Sequence, residues 1–305
     1  MLTMLVSGQS NGKCRIMTRQ RCDSPSSHTV VNGLPGQRRY IEAGRKDAAA
    51  DRCALHKRYV VDPYWADCAA GGELESFASM RGLAPILNLD ALEAAIRQLE
   101  DHDLSGLLGG VFSRISAILP SPRTTVWVLA GDPDDKFTVG LAGGVNGTTA
   151  GSGKIWLHLI PMAGWLDRLP GALAHEHHHS VWLARHYKGV ESQTLLNYLV
   201  MEGQACMFSG LLSPSIRSPW THALTGEQER DVWTKMQPHL GSSSHQVMAA
   251  FMFGGVNGLP PFCGYTIGYR IMEAYLKRHG DADMRDWTDL DAGTLLSQSA
   301  YGSQF

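Results

Sequence analysis

The sequence AHEHHHS at residues 174–180 places four histidines and one glutamate within five consecutive positions. Flanking residues predict a helix over about 167–188, and that helix sorts the histidines by direction. Residues four apart lie about 40° apart around a helix axis, so His175 and His179 share one face. His177 points to the other side, as a partly buried or surface histidine, and His178 flanks the shared face. A chain with this stretch must therefore build a helix with one side reserved for the histidine pair.

The order His175-Glu176-x-x-His179 has the spacing of a zinc-binding helix. Two imidazoles four residues apart can reach one ion, because both project from the same face. Glu176 lies beside that face, where a general base can take a proton from an activated water. His178 is placed for an indirect role near the ligands or for a substrate contact. A solvated, histidine-rich surface patch is the alternative interpretation.

A zinc enzyme needs a third protein ligand and leaves a fourth position open. The segment TLLNYLVMEGQACMFSG predicts a second helix, in which Leu195, Leu199, Glu202 and Cys206 form one stripe. A carboxylate that faces a core is costly unless a cation meets it. We therefore expect Glu202 to complete a site for one Zn²⁺ ion. A buried salt bridge from Glu202 to Arg or Lys is the alternative.

The rest of the chain predicts an α+β fold. Periodicity and composition indicate strands at 124–130 and 154–161, and a strand that enters a bulged, glycine-rich stretch within 137–153. The predicted helices are at 88–102, 105–119, 167–188, 192–210, 226–238, 244–254, 264–279 and 292–299. Helices, a small sheet and then more helices follow one another along the chain, which is the order expected of an α+β domain.

Charge separates the N-terminal segment from the remainder. Residues 1–57 carry ten Lys and Arg against four Asp and Glu, although the whole chain has a net charge of only −2. The segment lacks periodicity, so we expect a basic extension, mostly disordered or loosely packed, followed by one domain over 58–305.

Composition also limits which binding partners and which cellular location are expected. The near-neutral charge argues against a specific nucleic-acid partner, and no run is long enough to span a membrane. None of the six cysteines forms a C-x-x-C pair, and nothing else indicates an oxidising compartment, so a cytoplasmic location is expected. The oligomeric state stays open.

These motifs resemble those of a known family. His175-Glu176-x-x-His179 followed by Glu202 resembles the gluzincin pattern of zinc metallopeptidases. Within roughly 120–300, the H-E-x-H-H, E-G-x-A and G-Y-x-x-G-Y motifs are similar to the YjaZ-like family of predicted zinc-dependent proteases. They lie here at 175–179, 202–205 and 264–269. His177 and Cys206 are less usual at their positions.

The resemblance implies a zincin-like fold, with a small mixed sheet over an active-site helix and a mainly helical C-terminal half. It also implies a peptide or protein substrate and Glu176 as the catalytic base. In related peptidases a Tyr or His from the later helices stabilises the oxyanion, which makes Tyr265 and Tyr269 candidates. Their alternative role is helix packing.

The function expected on all these grounds is a zinc-dependent hydrolase, a peptidase. A substrate strand could add to an exposed sheet edge near Gly143 and Gly144, where a second backbone must come close. The alternatives are a non-catalytic zincin-like protein that uses metal for folding or binding, and a basic-tailed interaction module with incidental histidines.

Overall fold

The computed structural model describes residues 27–63, 84–121, 123–189, 192–280 and 282–304. These residues form an α+β fold with a four-stranded sheet. The strands are β1 (His28–Asn32), β2 (Thr124–Ala130), β3 (Val145–Gly151) and β4 (Lys154–Leu159). The helices before and within the sheet region are α1 (Leu34–Lys46), α2 (Arg52–His56), α3 (Leu89–Glu100), α4 (Leu104–Ile118) and α5 (Lys136–Gly140). Those that follow are α6 (Trp165–His186), α7 (Leu195–Leu212), α8 (Gly226–Met236), α9 (His245–Phe253), α10 (Cys263–His279), α11 (Met284–Asp289) and α12 (Ala292–Ser299).

The sheet is mixed, as predicted, with the strand order β1-β2-β4-β3. β1, β2 and β4 are parallel, and β3 pairs antiparallel with β4 at the edge of the sheet. The register between β3 and β4 shifts between Thr149 and Gly151, so the predicted irregularity in the glycine-rich stretch is present. β3 therefore has one unpaired side within the part of the chain that the structure describes.

The prediction of a loosely attached N-terminal extension is wrong for residues 28–57. β1 pairs with β2 in parallel, from His28 opposite Thr124 to Asn32 opposite Val128. α1 buries Leu34, Tyr40 and Ile41 in the main core. The segment folds because a few well-placed apolar side chains meet a sheet formed much later in the chain. Residues 1–26, which the same prediction covered, lie outside the described residues.

The prediction of a strand that begins at Phe137 is also wrong, because residues 136–140 form helix α5. The Asp135 side chain caps this helix by accepting from the Phe137 backbone N–H. A cap that satisfies a first-turn donor favours a helix over an extended chain. The strand begins only at Val145, after Gly143 and Gly144 have taken positive φ values.

α6 packs against β3 and β4, and α7 packs between α6 and α10. α7 and α10 come unusually close: a Cβ on Gly203 would lie 2.1 Å from the Gly268 carbonyl oxygen, and one on Gly268 would lie 2.2 Å from the Leu199 carbonyl oxygen. Gly203 thus serves the contact between α7 and α10. No described helix has the length and apolar character needed to cross a bilayer.

Candidate metal centre

Helix α6 carries the histidine stretch and lies mostly inside the molecule. It follows Gly164, whose φ of +79° turns the chain out of the sheet and into the helix. His177 and His178 are fully buried and His179 is 7% exposed, whereas His175 is partly exposed. This burial rules out a solvated histidine patch.

Three side chains from two helices meet at one point. The Nε2 atoms of His175 and His179 each lie 3.3 Å from Oε2 of Glu202. The potential ligand atoms of the three residues all lie within 4.8 Å of one another. Glu202 is only 3% exposed, and among the described residues its ion-pair partners are these two histidines rather than any Lys or Arg. The geometry thus favours the metal interpretation of Glu202 over a buried salt bridge to Lys or Arg.

The donor set fits zinc. Two ligand atoms that bind one tetrahedral Zn²⁺ at about 2.0–2.1 Å lie about 3.3–3.4 Å apart. The observed separations of 3.3 Å from Glu202 Oε2 to both imidazole nitrogens match this value. Within the described residues Glu202 Oε2 is also buried without a hydrogen bond. Acceptor lone pairs that converge out of contact with water call for a cation.

Electrostatics keep Glu202 ionised. Burial alone raises the pKa of a carboxyl group, but the facing imidazoles of His179 and His175 outweigh it and hold the pKa of Glu202 below its ordinary value. The side chain is therefore present as a carboxylate, the form that binds metal ions.

Glu176 lies against strand β3 rather than in the ligand cluster. Its Oε2 accepts a hydrogen bond of 2.7 Å from the Thr149 hydroxyl, which is also 2.8 Å from the Glu176 carbonyl oxygen. Glu176 is 7% exposed. A carboxylate next to two ligands, but not among them, can act as a proton acceptor.

His177 has a structural role. Its Nε2 lies 2.7 Å from the Leu119 carbonyl oxygen, so that nitrogen carries the proton and donates it. The ring packs against Phe112 and Phe208. Burial lowers the pKa of His177 to about 4, so the imidazole stays neutral.

His178 is also a core residue, and of its two expected roles its burial leaves the indirect one near the ligands rather than the contact with a substrate. The ring is fully buried and stacks on Trp287 with 5.5 Å between centroids. Its Nε2 lies 3.2 Å from the Thr288 hydroxyl, which itself donates to the Met284 carbonyl oxygen. His178 can therefore support α6 from behind but cannot meet a molecule from solvent.

Of the two candidate tyrosines, Tyr269 shares a neighbour, Cys206, with the cluster. Burial, together with the nearby Glu273 and Cys206, raises the pKa of Tyr269, so its hydroxyl remains a donor. Cys206 in turn lies 3.8 Å from Nδ1 of His175, which makes it a shared neighbour of Tyr269 and the cluster.

Tyr265 instead packs between aromatic rings, those of Phe253 and Phe262. This contact supports its alternative role in helix packing. Sequence reasoning missed His222, an exposed histidine whose ring lies 5.4 Å from that of Tyr269. It sits in a short 3₁₀ turn, and no motif marks it.

The predicted glycines at the sheet edge are explained by the chain's own packing. A Cβ on Gly143 would strike the Arg168 side chain, and one on Gly144 would lie 2.4 Å from the Ile160 carbonyl oxygen. Neither position needs a bound peptide to account for it. The glycine that faces the candidate site is Gly147 of β3, where a Cβ would lie 2.3 Å from Cγ of Glu176. No sequence motif marks Gly147.

Sequence and structure comparisons bear on this site. A family model described as "Predicted Zn-dependent protease (DUF2268)" matches residues 104–297, a range that contains the three clustered residues and Glu176. The uncharacterized protein YjfC of Bacillus subtilis (strain 168) is 28% identical over 157 residues. That alignment covers 47% of this chain and 50% of YjfC, so the chain spans about half the length of this curated relative. No solved structure matches the chain significantly.

Proposed function

Because the chain belongs to the family of predicted Zn-dependent proteases, we propose that it is a zinc-dependent hydrolase that cleaves peptide bonds on a zincin-like, gluzincin-type scaffold. The observation that carries the proposal is the convergence of His175, His179 and Glu202, with 3.3 Å from the carboxylate to both imidazoles. A second carboxylate, Glu176, lies beside this set. Three ligands and a separate base are the parts that metal-assisted hydrolysis requires.

The protein's own residues have distinct roles in this proposal. One zinc ion, held by His175, His179 and Glu202, supplies Lewis acidity when bound, polarising a carbonyl and lowering the pKa of a water molecule. Glu176 accepts a proton from water on a carboxylate oxygen and passes it to the leaving nitrogen. Tyr269 donates its hydroxyl proton in a hydrogen bond to the carbonyl oxygen as negative charge develops there.

The substrate proposed is a peptide or protein segment in extended form. β3 is an edge strand and lies directly over Glu176, so a substrate strand that paired with its free side would pass the base. Gly143 and Gly144 shape the turn into this strand. The cytoplasmic location expected from composition stays a prediction.

Replacing Glu176 by Gln tests the assignment, because glutamine keeps the size of the side chain but is a poor proton acceptor. The variant should retain about one zinc per chain and lose hydrolysis of a peptide library by about 10²- to 10⁴-fold. Zinc content is measured by mass spectrometry of dialysed protein, and cleavage by the appearance of new amines.

Other outcomes separate the alternatives. Full activity in Glu176→Gln would refute the base assignment. A wild type that carries zinc but cleaves no library peptide would indicate a non-catalytic metal-binding protein. A wild type that binds no zinc would exclude both the zinc-dependent hydrolase and the non-catalytic metal-binding protein.

A further inference from the structure

We infer that edge strand β3 positions the catalytic base, with Thr149 holding the Glu176 carboxylate by a hydrogen bond and Gly147 making room for it. This inference rests on the proposed function, in which Glu176 accepts the proton. It adds two positioning residues that none of the sequence motifs contains. Both come from the sheet half of the molecule, whereas the ligand set comes from the helices.

Thr149 contacts Glu176 in two places. Its hydroxyl oxygen lies 2.7 Å from Oε2 of the carboxylate and 2.8 Å from the Glu176 carbonyl oxygen. A carbonyl in the middle of a helix already accepts a bond from the residue four positions later. A hydrogen bond to a charged acceptor is also stronger than one to a neutral acceptor. The Thr149 hydroxyl therefore donates its proton to the Glu176 carboxylate.

The contact is sheltered from water. Thr149 is 6% exposed and Glu176 is 7% exposed. A hydrogen bond to a charged group in such surroundings is weakly screened, and water competes little for either partner. The hydroxyl can thus restrict the carboxylate to one orientation.

Gly147 provides the space on the same strand face. A Cβ at this position would lie 2.3 Å from Cγ of Glu176 and 2.8 Å from Oε1. Real carbon atoms do not approach so closely, and Cγ lies too near the helix backbone to move away freely. A larger residue at 147 would therefore push the carboxylate out of its position.

The two strand positions are themselves well fixed. Gly147 pairs with Leu157 and Thr149 pairs with Ile155 on β4, which lies inside the sheet. Catalytic groups are sensitive to such support, because a misplacement of about 1 Å can cost about 10²-fold in rate. The paired strand thus holds the Glu176 side chain in place through the Thr149 hydroxyl and through the absence of a side chain at Gly147.

Substitution of Thr149 separates positioning from folding. Thr149→Val should keep zinc content and KM and lower kcat about 10- to 100-fold, since valine matches the shape but lacks the donor. Thr149→Ser should recover most of kcat, because serine keeps the hydroxyl. Thr148→Val is the matched control: it changes a threonine on the opposite face of the same strand, and kcat should stay near the wild-type value.

A second measurement does not depend on activity. Gly147→Ala should lower the melting temperature of the zinc-loaded protein, but it should have little effect in a Glu176→Ala background, where the obstructing Cγ is gone. The difference between the two effects measures contact between residue 147 and the Glu176 side chain.

The outcomes distinguish this inference from the proposed function. Equal kcat for Thr149→Val and wild type, or failure of Thr149→Ser to recover activity, would overturn the positioning role. Equal effects of Gly147→Ala in both backgrounds would overturn the close contact. A wild type with no hydrolysis would refute the proposed function, and with it the role of Thr149, while the melting data would still show whether the contact exists.

Discussion

The four histidines at 175–179 in α6 divide into two pairs that differ in their contacts and in the chemistry open to them. His175 and His179 direct Nε2 at the Glu202 carboxylate, at 3.3 Å in both cases. His177 and His178 turn into the core, where their Nε2 atoms meet the Leu119 carbonyl and the Thr288 hydroxyl. Rotation around the helix, rather than residue type, decides which histidines are free to bind an ion.

The surroundings of each pair reinforce the division. A core histidine with its ring proton committed to a protein acceptor is neutral and held in place. The facing pair, His175 and His179, instead directs Nε2 at Glu202, which is ionised and forms one potential metal-binding group with them. Loss of a residue from the facing pair should therefore affect metal binding, whereas loss from the core pair should affect folding.

The largest expected effect tests this division directly. His179→Ala removes one of three ligands and should lower zinc affinity by more than about 100-fold, a larger loss than that caused by removing an outer partner of a ligand. The measurement is titration of the metal-free protein with a competing chelator.

His177→Leu is the matched core variant in the same helix. It should keep zinc affinity and lose about 1–3 kcal/mol of stability, because the buried Leu119 carbonyl loses its donor. If both variants lost zinc equally, the division of the four histidines would not hold.

The tyrosines should affect turnover rather than zinc binding. Tyr269→Phe should lower kcat by about 10²- to 10³-fold with little change in KM, since a donor that acts on developing charge is lost. Tyr265→Phe should stay close to wild type, because its ring packs between Phe253 and Phe262. Peptide kinetics on the two variants make the comparison, and the reverse ranking would assign the donor to Tyr265.

The smallest effect at neutral pH is expected from a core histidine elsewhere, His56. Burial lowers its pKa from 6.5 to about 4, and its ring contacts Tyr40 edge to face. The unfolded chain then binds a proton more readily than the folded protein between these pH values. Stability should therefore fall as pH drops from about 6.5 to 4 and should not change through this group above that range.

His56→Leu should remove this contribution, which is at most about 3 kcal/mol at pH 4. Denaturant unfolding of both proteins at several pH values measures the difference. Identical pH profiles would show that His56 is not held neutral by burial.

Much of this architecture could be predicted from the sequence because the signals were local. The runs of β-branched and aromatic residues predicted β2 and β4, and the α6 and α7 stripes predicted which side chains share a face. Glu202 could be identified because burying a carboxylate in an apolar stripe costs free energy unless a cation pairs with it.

The parts that sequence reasoning missed depend on distant partners. β1 is only five residues long and is held by pairing with β2, whose residues lie almost one hundred positions later. The contact between Thr149 and Glu176 joins residues 27 positions apart on different elements. Neither contact leaves a periodic trace in its own segment, so each became visible only when the elements were placed together.

We propose that His175, His179 and Glu202 hold one zinc ion. Anomalous diffraction at the zinc edge, from crystals of zinc-loaded protein, tests it most directly. One strong peak is expected within about 2.0–2.2 Å of Nε2 of both histidines and of a Glu202 carboxylate oxygen. A peak at another set of side chains, or a cluster that stays empty in zinc-saturated crystals, would contradict it.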